Sequence, residues 1–207
     1  MSDTPPAPTA PRRRMGEVSR RTGETAIALS VDVDGGGTHE VTTGIPFFDH
    51  MLAQLGRHGG WNLAVEATGD VEVDAHHTVE DVGIALGEAF AAALGDKVGI
   101  RRFASITVPL DEAAVEAVID LSGRPYLHYD INPPGEKILG DPPFDPQLCE
   151  EFWRAFITSA GICMHLTMVR GRNTHHIIEA SFKAVARTLR DAVRIEGGGV
   201  PSTKGVL

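Results

Sequence analysis

The chain has 207 residues, enough to bury a real core as one domain or as two small halves. It is 42% hydrophobic and 23% charged, with a formal net charge of −9 that argues against a nucleic-acid role for the folded body. No apolar run approaches the ~18 residues of a membrane span, and the two cysteines, Cys149 and Cys163, form no C-x-x-C pair and fit a reducing cytoplasm.

Residues 1–14, MSDTPPAPTAPRRR, lack the apolar stretch of a signal peptide and read as a disordered arm ahead of a folded unit over 15–207. Ala26–Val33 alternates as a strand, Asp34-Gly35-Gly36-Gly37 marks a turn, and His39–Thr43 is expected to return as the second strand of a hairpin. A helix is expected near Phe48–Leu55, a strand over Leu63–Val73 and a helix over 78–95. Ala104–Leu110 and Val115–Leu121 read as strands around the polar turn Asp111-Glu112. The proline-rich stretch 132–146 must be a loop. Helices are expected over 147–160 and 177–194, with a short strand at Met164–Val169. The last helix carries a stripe at Phe182, Val185, Ala186, Leu189 and Val193. Each half, about 15–100 and 101–200, is thus strands plus two helices, an α+β unit that needs its partner to cover an apolar face.

The pattern His-His-x-x-Glu occurs twice, from His76 to Glu80 and from His175 to Glu179. Imidazole and carboxylate are the usual ligands of a catalytic transition metal. Neighbouring residues on a helix point about 100° apart, whereas residues four apart share a face. His76 and Glu80 can therefore share one ion, and His175 and Glu179 another. His77 and His176 are left to reach the ion held by the opposite repeat. His50 precedes His76 as Glu151 precedes His175, once a two-residue gap is allowed, so both are candidate further ligands. Lys183 lies four residues after Glu179, Arg102 and Arg124 sit at strand ends, and Ser202 and Lys204 lie in the C-terminus. Together these suit a phosphate group, although the sequence does not bring them together.

The stretches GIPFFDHMLAQLGRHG (44–59), DAHHTVEDVGIALGEA (74–89), DLSGRPYL (120–127), NTHHIIEASFKAVARTLR (173–190) and PSTKGVL (201–207) resemble those of imidazoleglycerol-phosphate dehydratases. The resemblance covers roughly residues 16–207. It implies an α+β fold of internally duplicated half-domains, with two four-stranded sheets and the helices packed between them. It also implies a 24-subunit homo-oligomer assembled around manganese, with active sites at subunit interfaces. The implied reaction removes water from D-erythro-imidazole-glycerol phosphate to give imidazole-acetol phosphate in histidine biosynthesis. By motif, His50, His77, His175 and Glu179 would bind one Mn²⁺, and His76, Glu80 and His176 the other. Glu151 stands where many members have a histidine. Arg102, Arg124, Lys183, Ser202 and Lys204 match phosphate-binding positions, and Glu24 matches a glutamate on a loop over the substrate. Two ions on the ring nitrogens would stabilise an imidazolate, and Glu80, Glu179 and Glu24 are the candidate catalytic carboxylates. A metal-assembled shell without activity would need no phosphate-binding cations, and a two-metal phosphatase would favour Asp-rich bridging ligands.

Overall fold

The computed structural model describes residues 13–134 and 138–207. In chain order the first half contains β1 (Met15–Arg21), β2 (Thr25–Asp32), β3 (His39–Thr42), α1 (Pro46–Gly59), β4 (Asn62–Gly69) and α2 (His76–Leu94). The second contains β5 (Phe103–Leu110), β6 (Ala113–Asp120), β7 (Tyr126–Asp130), α3 (Leu148–Ala160), β8 (Cys163–Arg170) and α4 (Thr174–Ala192). The sheets have matching orders, β1-β2-β4-β3 and β5-β6-β8-β7. In each, three strands pair antiparallel and the last adds in parallel. The expected duplicated α+β architecture is the observed one.

Alternation decides which face of each sheet is covered. Ile27, Leu29 and Val31 on β2 and Leu63, Val65 and Ala67 on β4 are buried, as are Val115, Ala117 and Ile119 on β6. That apolar row faces the helices because successive strand side chains point to opposite sides. α2 lies on β1 and β2, and α4 lies on β5 and β6. The helix pairs cross the halves: α2 packs against α3, and α1 against α4. Phe48 of α1 meets Phe152 of α3 edge to face and Phe152 stacks on Phe182 of α4, with ring centroids 5.3 and 5.5 Å apart. Phe90 of α2 joins through Phe156 at 5.7 Å. One aromatic core therefore serves both halves.

Small residues set how closely α2 and α3 approach. Gly83 faces Phe152 and Gly87 faces Phe156, so the two helices run in the same direction with their N-termini together. A Cβ on Gly87 would lie 2.5 Å from the Phe156 carbonyl oxygen and 2.7 Å from the Ser159 Cβ. Gly to Ala inside a helix ordinarily stabilises by about 0.5–1 kcal/mol. Here the clash is with backbone and outweighs that gain, so Gly87→Ala should destabilise by about 1–3 kcal/mol. Thermal unfolding of the metal-free protein checks the sign, and a raised midpoint would contradict this packing.

Three sequence expectations are corrected. β3 does not form a hairpin with β2. Both edges of β2 are taken by β1 and β4, so β3 has no place beside it and pairs in parallel with β4 instead. Gly35–Gly37 carries the chain across the end of β4, where the Asn62 side-chain oxygen accepts from Gly36 N–H at 2.9 Å and from the Thr38 hydroxyl at 2.8 Å. The strand expected to reach Val73 stops at Gly69, and a turn closed by Val73 N–H to Asp70 C=O follows. The helix expected over Phe48–Leu55 is longer, starting on Pro46, a residue suited to a first helical position, and ending before the left-handed Gly60. β1 and β7 were not read from the sequence: among the residues of β1 only Gly16 is buried, and none in β7 is, so neither carries an apolar alternation. The expected N-terminal arm lies outside the described residues except for Arg13 and Arg14, which pair with Asp32 and Asp34.

Candidate metal centre

α4 begins at Thr174, three residues before the expected 177, because Asn173 caps it. The Asn173 side-chain oxygen accepts the backbone N–H groups of His175 and His176 at 2.9 and 3.4 Å, capping the helix. His175 and Glu179 then share a face one turn apart, with Nε2 3.0 Å from Oε2. α1 lies alongside and places His50 Nε2 3.3 Å from the same Glu179 oxygen. One ligand atom from each of His50, His175 and Glu179 lies within 4.8 Å of the others, and this is the ligand set that converges among the described residues. Burial raises the Glu179 carboxyl, but the hydrogen bond from Lys183, 2.6 Å away, and those from His50 and His175 outweigh it and bring the pKa down to about 2. Glu179 is thus an ionised acceptor at neutral pH, the form that binds a cation.

The first half offers a looser counterpart. His76 Nε2 and Glu80 Oε2 are 3.8 Å apart on the first turns of α2. α3 packs on α2 as α1 packs on α4, so Glu151 occupies the place of His50. Its carboxylate lies 3.6 Å from Arg154 Nε. Glu151, His76 and Glu80 do not close into a ligand set in this chain.

The second histidine of each pair turns away from the first. The ring planes of His76 and His77 meet at 87°, and those of His175 and His176 at 83°. Neither His77 nor His176 joins the opposite half's cluster within the chain. His77 Nδ1 instead lies 3.0 Å from an Asp70 oxygen, which raises its pKa. His176 Nδ1 lies 2.8 Å from Glu112 Oε2, and this bond, with the backbone N–H of Asn173, holds Glu112 down at about 2. The sequence reading missed both carboxylates. Glu112 stands in the polar turn the alternation marked, but its partner is distant in sequence. Glu24, on the β1–β2 turn, is exposed, with its carboxylate 3.8 Å from His77 Nδ1.

The remaining cations divide. Arg102, Arg124, Ser202 and Lys204 line one cavity of about 480 Å³. Arg102 also holds Asp120 through bonds of 2.7 and 3.1 Å and the Pro201 carbonyl at 2.7 Å, which fastens the C-terminal segment over the cavity. Lys183 is not among these residues and lies at Glu179. The backbone N–H of Arg102 donates to Ala192 C=O at the end of α4, whereas His175 begins that helix. The cavity and the ligand cluster are therefore separated by roughly 25 Å, the rise of seventeen helical residues.

Fold and site together define a duplicated α+β protein with a histidine–carboxylate metal-ligand set at one end of its helices and a cationic cavity at the other. The chain belongs to the imidazoleglycerol-phosphate dehydratase family, whose model matches residues 43–189. An imidazoleglycerol-phosphate dehydratase from Acidothermus cellulolyticus is 52% identical, with all of both chains covered. One from Halorhodospira halophila is 54% identical over 94% of this chain and 99% of its own. The structure is similar to that of the Pyrococcus furiosus enzyme, with a TM-score of 0.79 at 35% identity, covering 92% of this chain and 100% of that one. The Staphylococcus aureus enzyme gives a TM-score of 0.78 at 36% identity, covering 87% and 99%. No helix among the described residues is long and apolar enough to cross a membrane.

Proposed function

We propose that this dehydratase converts D-erythro-imidazole-glycerol phosphate to imidazole-acetol phosphate and water, a cytoplasmic step of histidine biosynthesis, with two Mn²⁺ ions per active site. The observation that carries this reading is the convergence of His50, His175 and Glu179 from opposite repeats. His50, His175 and Glu179 would hold one ion with His77 from another copy. His76, Glu80 and Glu151 would hold the second with His176 from another copy. The donors are imidazoles and carboxylates, a set that suits Mn²⁺. Held by these residues, Mn²⁺ would supply the positive charge that stabilises the substrate ring as the neighbouring carbon loses its proton.

The rest falls to the chain's own side chains. Glu179 is held ionised by Lys183 and serves as a ligand rather than a proton carrier. Glu24 is exposed on its turn and would close over the substrate, and Glu80, half-exposed beside His76, is the second carboxylate that would move a proton. Arg102, Arg124, Ser202 and Lys204 bind the phosphate. A substrate with only a short carbon chain between ring and phosphate cannot span roughly 25 Å along one helix. The cavity and the ligand cluster that meet one substrate therefore belong to different copies. This supports an active site at subunit interfaces of a homo-oligomer, for which the family resemblance implies 24 subunits. Residues 15–207 act in it as one unit, with halves of about 15–100 and 101–200.

Incubating the Mn²⁺-loaded protein with imidazole-glycerol phosphate tests the reaction. Imidazole-acetol phosphate should appear without release of inorganic phosphate, and phosphate release instead would refute a dehydratase. Arg124→Ala should raise KM about ten- to hundredfold, the loss of one charge-assisted hydrogen bond of ~1.5–3 kcal/mol, with bound Mn²⁺ unchanged. An unchanged KM would misplace the phosphate site. Glu151→Ala should loosen one ion and leave the other in place, while Glu151→His retains both because imidazole suits the same ion. Metal titration, scored as ions per subunit, checks this. Unchanged stoichiometry and affinity in Glu151→Ala would remove Glu151 from the site.

A further inference from the structure

Five histidines carry the proposed ligand sets, and the structure treats two of them differently. His50, His175 and His76 turn Nε2 toward a ligand carboxylate of their own chain. His77 and His176 have no such neighbour and instead present Nδ1 to a carboxylate that belongs to neither ligand set. His77 Nδ1 lies 3.0 and 3.2 Å from the two oxygens of Asp70. His176 Nδ1 lies 2.8 Å from Glu112 Oε2. An ionised carboxylate only accepts, so Nδ1 carries the proton and Nε2 keeps its lone pair. The ring is thereby fixed both in tautomer and in direction.

The carboxylates are themselves held. Glu112 Oε1 accepts the backbone N–H groups of Arg172 and Asn173 at 3.1 and 2.7 Å. Asn173 in turn caps α4 at His175 and His176. One glutamate thus fixes both the ring of His176 and the loop from which its helix starts. Asp70 begins the turn between β4 and α2, where its carbonyl accepts from Val73 N–H at 2.8 Å.

The two halves hold the second histidine with different residues. Glu24 immediately precedes β2 as Glu112 immediately precedes β6, so the two glutamates are counterparts on the two hairpin turns. Each faces the second histidine of its own half. Glu112 is at hydrogen-bond distance, whereas Glu24 stands off at 3.8 Å with its side chain 56% exposed. In the first half Asp70 has taken the holding position, which leaves Glu24 free.

We propose that Asp70 and Glu112 are positioning residues, each accepting the Nδ1 proton of its histidine so that Nε2 of His77 and of His176 is presented to an ion held mainly by another copy of the chain. The proposal rests on the cross-copy metal reading above. It explains why only these two histidines need an outer carboxylate. The other three are oriented by ligands they share, while His77 and His176 must hold their geometry before the second copy arrives. Ordering them beforehand removes that entropy cost from assembly.

The test uses the full chain, Mn²⁺ alone as the probe, and Asp70→Ala, Glu112→Ala, Asp70→Asn and Glu112→Gln. In ¹⁵N spectra of the histidine-labelled, metal-free wild type, taken at alkaline pH where the rings are neutral, His77 and His176 should show the Nδ1–H tautomer. The two alanine variants should each lose that signature at one residue. They should bind Mn²⁺ about ten- to hundredfold more weakly, and reach full assembly mass only at correspondingly higher Mn²⁺. At saturating Mn²⁺ KM should be near the wild-type value. Asp70→Asn keeps an acceptor oxygen for His77 Nδ1–H and should recover most of the Mn²⁺ affinity, which excludes misfolding as the cause. In Glu112→Gln the one acceptor oxygen stays with the Arg172 and Asn173 N–H groups and the NH2 faces His176 Nδ1, so the loop should hold while the Nδ1–H tautomer and the Mn²⁺ affinity are lost as in Glu112→Ala. Alanine variants with wild-type tautomers and Mn²⁺ affinity would overturn the positioning role while leaving the cross-copy site intact. A wild-type protein that binds Mn²⁺ with no change in mass would instead remove the cross-copy reading, and the positioning role with it.

Discussion

His175→Ala should cost the protein more than two orders of magnitude in activity while leaving its fold in place. The side chain is 42% exposed at the start of α4, so removing it opens no core cavity. What it loses is one of three donors converging within 4.8 Å. Loss of an outer hydrogen-bond partner to a metal ligand already costs about 10- to 100-fold in affinity or activity, and loss of the ligand itself costs more. Glu179→Gln should be comparably severe, because a neutral amide cannot replace the anion that Lys183, His50 and His175 surround. Bound Mn²⁺ and kcat measured side by side check this. A His175→Ala protein with full metal content and near-normal kcat would remove the cluster from the chemistry. Unchanged thermal unfolding of the metal-free protein would show that the loss is local.

Removing the metal should abolish activity and also reduce the size of the assembly. The proposed ions each draw a ligand from a second copy, so metal binding and association are linked, and each shifts the other by mass action. The chelated protein should sediment as a smaller species, and titration with Mn²⁺ should restore mass and activity over the same concentration range. The separation of roughly 25 Å between the His175 cluster and the Arg102 cavity along α4 makes this a demand of the reaction. A monomer active with metal would have to bring the two ends of one helix to one substrate. Sedimentation velocity with and without Mn²⁺ decides the matter, and a metal-free protein of full mass would break the link.

Local order in the chain determined much of the site. The i to i+4 spacing of His175 and Glu179, and of His76 and Glu80, places each pair on one helix face whatever surrounds the helix. The right-angle divergence of His76 from His77 follows from the same helical period. β-strand alternation over Ala26–Val33 and Val115–Leu121 likewise foretold which side chains enter the core, because a strand has only two faces. The family resemblance added the count of four strands per sheet but not the places of β1 and β7, which carry no alternation of their own.

Tertiary structure decided what local periodicity cannot reach, namely which element lies beside which. β3 sits on the far side of β4 because β2 has no free edge, not because of anything within His39–Thr42. His50 meets Glu179, 129 positions further along the chain, because α1 packs on the helix of the other half. Asp70 and Glu112 become holders of His77 and His176 only once β4 and the β5–β6 turn are folded against the helix starts. Arg102, Arg124, Ser202 and Lys204 gather into one cavity while Lys183, midway along α4, stays beside Glu179. A sequence pattern specifies the directions of neighbouring side chains through bond geometry. Contacts between distant segments depend instead on sheet edges, on the small residues Gly83 and Gly87, and on a shared aromatic core, and these exist only in the folded chain.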